Sequence, residues 1–328
     1  MSPRNVLLRI IPSSLRNAKR TLFDEFYQYR DDYWVRRLSS TSNAISKRAR
    51  DHYEVARLRY RPARRITFFP ELPAEMSVMR KLCLRLGFGV TTDLKADTLA
   101  TFKWCDQTVF DPTVYFSPQA DRTCFNLHCT DISKGHVAEV FAEVFGYDLA
   151  VDPTIHDGLI LKKSEINAAH DGQVLQGPLS HRTSGFSFQR LIDNQVSNRF
   201  FLDSRVPVFG GRLPFVYFKL RDIDTRFESY IPHAVVTETD NVFSAEEQER
   251  LVEFTRRMGL DYGELDVLRD RTDDRIYVVD CNNTPSGPPK ALCSSDMTYA
   301  LTTMAEELER LLTTTPLPAP SASHNVLT

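Results

Sequence analysis

Two segments near the C-terminus constrain this chain more than anything else in it. Residues 263–270 (GELDVLRD) and 275–289 (RIYVVDCNNTPSGPP) both alternate polar and apolar side chains, the period of a half-buried strand. Between them, residues 271–274 (RTDD) are of turn type. A turn centred near Asp273 pairs Asp266 with Asp280 and Glu264 with Asn282. Side chains directly opposed on one face of a sheet sit roughly 4.5–5.5 Å apart, and like charges there are destabilising. Three carboxylates and an amide on one patch therefore call for a compensating cation. Oxygen-only ligands select a hard ion, and one or two carboxylates completed by substrate phosphates is the usual Mg2+ arrangement. The hairpin thus points to chemistry at a nucleotide phosphate.

The rest of the chain can support such a site. Its 328 residues, 42% hydrophobic and 26% charged, suffice for two or more subdomains with their own cores. The longest apolar runs fall far short of a membrane span, so no transmembrane helix is expected. Six cysteines (Cys83, Cys105, Cys124, Cys129, Cys281 and Cys293) are scattered without CxxC spacing, which reads as reduced thiols in a cytoplasmic protein.

The formal net charge is only −2, but residues 1–65 hold 16 Lys/Arg against 6 Asp/Glu. Such a basic arm suits an anionic membrane, a nucleic acid or the acidic body of this same protein. Contact with the body is the default, peripheral membrane contact the alternative, and no nucleic-acid partner is expected. The first twenty residues carry five basic and no acidic side chains among Leu7, Leu8, Ile10, Ile11 and Leu15. That resembles an organellar transit peptide; the plainer reading, preferred here, is a basic terminal segment of a cytoplasmic protein.

Helical spacing relates Leu15, Leu22, Phe26, Tyr29 and Tyr33, and again Ile45, Ala49, Tyr53, Ala56 and Tyr60, predicting two amphipathic helices. Residues 65–70 read as a strand, Ala74 to Leu86 as a helix closed by Gly87, and Thr98 to Cys105 as a second strand, together a small parallel α/β unit. A helix follows from Ser133, its N-cap, to Phe145, with Gly146 as the stop. Residues 158–230 read as mostly β, with Gly210-Gly211 as a hairpin turn. Ser244 and Glu247 form a capping box that opens a helix ending at Gly259. Met297 to Leu312 is the last helix, and 313–328, rich in Pro, Ser and Thr, reads as a disordered tail.

Further candidates lie in the β region. Residues 158–163 (GLILKK) form a strand ending in two lysines, followed by a polar loop, 164–172 (SEINAAHDG). A strand lysine and a loop of this kind can neutralise phosphates and cover them with backbone N–H groups. The glycine spacing of a Walker A loop is absent. In 215–221 (FVYFKLR), Lys219 and Arg221 share one strand face, a costly arrangement unless an anion lies opposite. Taken singly, lysines at strand ends and paired surface cations are commonplace. Cys124, His128, Cys129 and His136 lie close together in sequence, but Cys-x4-Cys is loose for structural zinc, and buried thiols with ordinary histidines are the better reading.

Taken in order, residues 155–292 resemble the ATP-grasp superfamily, with an α/β unit ahead of them. The sharpest likeness is between 263–287 and the two metal-bearing strands of D-alanine–D-alanine ligase and glutathione synthetase-like enzymes. The resemblance implies an α/β (α+β) fold in which two α+β subdomains clamp ATP. It divides the chain into a basic helical arm (1–64), an α/β pre-domain (65–130), an ATP-grasp domain (131–312) and a tail (313–328). It implies Asp266, Asp280 and Asn282 as ligands of Mg2+ (or Mn2+), and Lys163 near the ATP phosphates; in the loop that follows, His170 and Gly172 are the candidates for phosphate contact, a loop histidine without a role being the equal alternative. Gln189, Leu191 and Ile192 match the hinge that meets adenine through backbone groups, and Asp203 an acid near the ribose. Lys219 and Arg221 would reach the phosphates as catalytic cations.

One departure stands out. Ligases of the D-alanine type carry an arginine two residues before the first metal acid, where this chain has Glu264; Arg221 or Arg269 is the expected substitute. The reaction implied is Mg·ATP-dependent activation of a carboxylate as an acyl phosphate, followed by attack of an amine from a small-molecule or peptide substrate. The alternatives are a small-molecule kinase and a nucleotide-binding interaction protein without turnover.

Overall fold

The computed structural model describes residues 64–111, 123–167, 169, 171–225, 231–314 and 316. The two helices expected within residues 15–60, the basic arm, and most of the expected tail lie outside the described residues, as does His170. Among the described residues the architecture is mixed α/β, with three sheets. No helix among the described residues is long and apolar enough to cross a membrane.

The first sheet is parallel, in the order β2-β1-β3-β4: β1 (Arg65–Pro70), β2 (Gly89–Thr91), β3 (Thr101–Trp104) and β4 (Cys124–Phe125). Strands β1 and β3 are largely buried, as strands of a covered parallel sheet must be. The helix expected from Ala74 begins later, as α1 (Val78–Leu86), because the Ser77 side chain accepts the Arg80 N–H and caps it there. Gly87 ends it in the left-handed region.

Helix α2 (Lys134–Phe145) starts at its Ser133 cap and stops at Gly146. The second sheet is antiparallel, in the order β6-β5-β7: β5 (Leu159–Ser164), β6 (Gln173–Gln176) and β7 (Phe186–Arg190). The third has five antiparallel strands, β10-β9-β8-β11-β12: β8 (Phe200–Phe209), β9 (Val216–Asp222), β10 (His233–Thr237), β11 (Tyr262–Arg269) and β12 (Ile276–Asn282). Gly210 and Gly211 join β8 to β9 with positive φ at both residues, the demand of a tight two-residue turn. Helix α3 (Ala245–Arg257) carries the Ser244–Glu247 capping box. Helix α4 (Ser294–Leu311) begins three residues before the expected Met297, capped by Cys293.

Alternation decides which face of the five-stranded sheet is free for chemistry. Val206, Val208, Val216, Phe218, Leu265, Val267, Val278 and Cys281 enter one core with Val137, Phe141, Leu251 and Phe254 of α2 and α3. The opposite face is thereby left to Asp203, Arg205, Lys219, Arg221, Glu264, Asp266, Asp280 and Asn282.

A polar bolt fixes the parallel sheet to β11. Asn126, at φ 57, donates its backbone N–H to Asp261 Oδ2 at 2.6 Å and its amide to the Tyr262 carbonyl at 2.7 Å. Its Oδ1 accepts the Asp261 and Tyr262 N–H groups. Asparagine tolerates the left-handed conformation, and every buried polar atom it brings is satisfied.

Candidate functional site

The pairing of β11 with β12 sets Glu264 opposite Asn282 and Asp266 opposite Asp280. The turn is not centred on Asp273, however. The register shifts between Asp266 and Val267, so that Val267 faces Val278. A bulge inserts one residue and re-aims the side chains beyond it, which keeps Asp280 and Asn282 on the face of Asp266. A Cβ on Gly263 would lie 2.4 Å from the Asn282 carbonyl oxygen, so the strands close up beside Asn282 only because that residue is glycine.

The cation that the acids require comes from the protein itself. Arg205 lies opposite Asp266 on β8, donating Nε and Nη2 to its two oxygens at 2.9 and 3.0 Å. Its Nη1 is 3.4 Å from Glu264. The fully buried Lys219 donates to Asp266 Oδ1 at 2.9 Å. Burial alone would raise the Asp266 carboxyl, but Arg205 and Lys219 outweigh it and hold the group well below the usual carboxylate range.

The guanidinium beside Glu264 and Asp266 is that of Arg205, whereas the expected substitutes, Arg221 and Arg269, are bonded elsewhere. Arg221 donates to Asp203 at 2.7 Å, while Arg269 is engaged by Glu247 and the Val242 carbonyl. Arg205 went unrecognised in the sequence. The signal was its place two residues after Asp203 on one strand face, but the β8–β11 register that puts it beside Asp266 is not written locally.

Glu264 is 2% exposed, and neither carboxylate oxygen has a hydrogen-bond partner. Burial pushes its carboxyl up to about 7 against the pull of Arg205. The Asp280 carboxylate makes no hydrogen bond with a described residue; burial and the neighbouring Asp266 raise it. The Lys163 ammonium, lowered by burial, likewise has no hydrogen bond among the described residues, and the charges of Asp280, Asp266 and Asp203 act back on it. The site therefore contains a half-buried carboxylate and a half-buried ammonium, neither bonded to a described side chain and each within electrostatic range of the other.

On β5 and β7 the register places Lys163 beside Ser187 and Leu161 beside Gln189, so these four share one face. Gln189 is 1% exposed, and both ends of its amide lack a partner. Leu191 follows, lining a cleft of about 450 Å3 with His156, Leu159, Asp193, Gln195 and Phe201. Ile192 turns its side chain into the core, leaving only its backbone for any ligand. Asp203 accepts from Asn194 as well as Arg221. Gly172 immediately precedes β6.

Among the described residues, no group of three or more His, Cys, Asp or Glu side chains is arranged to hold a metal alone. Two acids with the Asn282 amide make a partial donor set, of the kind that phosphate oxygens complete. The half-buried Asp280 carboxylate fits a cation, and the buried, orphaned Gln189 amide fits a polar partner such as a base edge.

Comparison with known protein families gives no match, and none of the curated proteins matches by sequence. Solved structures similar to the chain include the ATP-grasp ligase PsnB complexed with a minimal precursor, at 14% identity and a TM-score of 0.49, over 75% of this chain and 97% of that one. A RiPP-associated ATP-grasp ligase of Chryseobacterium gregarium, in complex with ADP and a leader and core peptide, is similar at 11% identity and a TM-score of 0.46, over 76% and 97% of the two chains. D-alanine–D-alanine ligase from Bacillus anthracis, complexed with ATP, is similar at 9% identity and a TM-score of 0.46, again over 76% and 97%.

Proposed function

We propose that this chain is an ATP-grasp-type, Mg·ATP-dependent ligase that activates a substrate carboxylate as an acyl phosphate and joins it to an amine. One arrangement carries the reading: the cross-strand pair Asp266–Asp280, with one acid neutralised by Arg205 and Lys219 and the other, half-buried, bonded to no described side chain and within electrostatic range of Lys163. That is a surface prepared for a divalent ion together with phosphates.

Asp266, Asp280 and Asn282 would hold Mg2+ or Mn2+. When bound, Mg·ATP supplies the phosphoryl group and the charge neutralisation that its transfer needs. Lys163, on the three-stranded sheet, would meet the phosphates. Lys219 and Arg205 hold Asp266 ionised and fix its direction, a positioning role that the fold sets in advance. Gln189 offers a donor and an acceptor to the base, and Leu191 and Phe201 offer apolar cover for its ring. No protein nucleophile is required. The division into a pre-domain at 65–130 and an ATP-grasp domain at 131–312 belongs to the same reading.

The test has two stages. Calorimetry first measures Mg·ADP binding to the full chain. Mg·ATP is then incubated with a panel of carboxylic acids and hydroxylamine. ADP, phosphate and a hydroxamate together support the ligase. ADP with a phosphorylated alcohol and no free phosphate would establish a kinase instead. Mg·ATP binding without ADP formation, even with added cell extract, would leave a nucleotide-binding interaction protein.

A further inference from the structure

Asp106, just beyond β3, lies between the two halves of the site. Its Oδ1 accepts the Asn167 side-chain amide at 3.1 Å and the Thr284 hydroxyl at 3.3 Å. The Thr284 backbone N–H in turn donates to Asn282 Oδ1 at 2.9 Å. One carboxylate oxygen therefore joins the loop that continues from Lys163 to the strand end that carries Asn282.

The loop is held on the same side by further bonds. The Asn167 N–H donates to the Thr108 hydroxyl at 2.8 Å. Lys134, the first residue of α2, donates its ammonium to the Ile166 carbonyl at 3.2 Å. The Gly135 N–H donates to Glu165 at 2.9 Å. A Cβ on Gly135 would meet Glu165 Oε1 at 3.1 Å, so the glycine gives this carboxylate room to approach closely. Residues 165–167 are thus strapped to the segment after β3 and to the start of α2, which belong neither to the three-stranded nor to the five-stranded sheet.

We infer that Asp106 is a positioning residue, setting the Lys163 loop and the Asn282 amide at a fixed separation so that nucleotide phosphate and metal are gripped together. The inference rests on the proposed nucleotide site for its ligand, though not for its geometry. Both of its bonds use Oδ1 as acceptor, so the role is one of hydrogen bonding and not of charge. Pre-setting such a separation saves the ordering cost that binding would otherwise meet. Thr284 also leaves Asn282 Oδ1 one lone pair, since a carbonyl oxygen has two.

Three variants of the full chain test this. Asp106→Asn keeps an oxygen acceptor, Asp106→Ala removes it, and Asn167→Ala breaks the strap from the other end. Amide hydrogen exchange at residues 164–167 is read on protein without nucleotide. ADP affinity is read by calorimetry with and without Mg2+. For Asp106→Ala and Asn167→Ala we expect exchange at 164–167 about tenfold faster, and the Mg2+-dependent gain in ADP affinity reduced about fivefold, the size of one or two lost hydrogen bonds. Affinity without metal should stay within about twofold, which general destabilisation would not spare, and Asp106→Asn should resemble wild type in both readouts. Unchanged exchange in both alanine variants overturns the inference, and so does an Asp106→Asn variant as impaired as Asp106→Ala. If wild type itself fails to bind Mg·ADP, the nucleotide reading falls, and exchange alone decides whether Asp106 holds the strap.

Discussion

Arg205 grips both carboxylate oxygens of Asp266 from the neighbouring strand, at 2.9 and 3.0 Å, while a third nitrogen lies 3.4 Å from Glu264. One guanidinium thus answers two acids that share a strand face, a task suited to its planar fork and not to an ammonium. Arg205→Ala leaves Asp266 with only Lys219 and Glu264 with no close cation. Removing one partner of a buried pair costs about 3–5 kcal/mol, so urea denaturation at pH 7 should show a loss of that order. Arg205→Lys should recover only part of it.

Glu264 and Asp266 should give opposite pH signatures. Glu264 is raised from 4.5 to about 7 by burial, so between those values the folded protein keeps a proton that the unfolded chain has released. Stability from this group is present at low pH and declines as pH rises through that window, by about 3 kcal/mol at one pKa unit per 1.36 kcal/mol. Asp266 is depressed, so its contribution is complete above the ordinary carboxylate value and disappears as pH falls below it. Denaturation midpoints of Glu264→Gln from pH 4.5 to 7.5 should lack the wild-type decline, and a variant that keeps it would refute the assignment.

Asp280 should matter for metal more than for folding. Its carboxylate makes no hydrogen bond with a described residue, and burial beside Asp266 raises it. Asp280→Asn removes a strained like-charge pair, so its thermal midpoint should equal or exceed that of wild type. The Mg2+-dependent part of ADP binding should fall tenfold or more, roughly the loss of one charged ligand. Calorimetry at several Mg2+ concentrations reads both, and intact Mg2+ dependence would remove Asp280 from the ligand set.

Gln189 presents a comparable conflict between stability and recognition. Its buried amide has no partner at either end, a cost of about 1–3 kcal/mol for a lost buried hydrogen bond. Gln189→Met keeps the volume and discards the polar atoms, and should fold at least as stably as wild type. It should bind Mg·ADP about tenfold more weakly and lose any preference for ADP over GDP, as expected when a donor–acceptor pair no longer reads a base. Competition binding with the two nucleotides measures this.

Local signals were legible wherever a rule acts over a few residues. Ser133, Gly146, the Ser244–Glu247 box and the Gly210-Gly211 turn each act within one helical turn or one hairpin. The start of α1 was misplaced because several residues before Val78 are compatible with a helix, and only the Ser77 cap selects the first turn. The start of α4 was missed because a cysteine is an unusual cap. Within the site, the pairs Asp266–Asp280 and Glu264–Asn282 were readable because a single hairpin fixes them, although a bulge and not the turn centre sets the final register.

The sequence by itself determined that acids alternate along two adjacent strands and that lysines and arginines alternate along others, since period and turn chemistry are local properties. Only the tertiary structure decided which cation meets which acid. Arg205 and Asp266 are brought together by the pairing of β8 with β11, and Asp106 reaches Asn167 and Thr284 from the segment that follows β3. Such contacts arise from strand order and from packing between sheets, and no local spacing encodes them. The electrostatic conflict among the acids of β11 and β12 is thus resolved at Asp266 by two protein cations and left open at Asp280, where a bound cation would complete the balance.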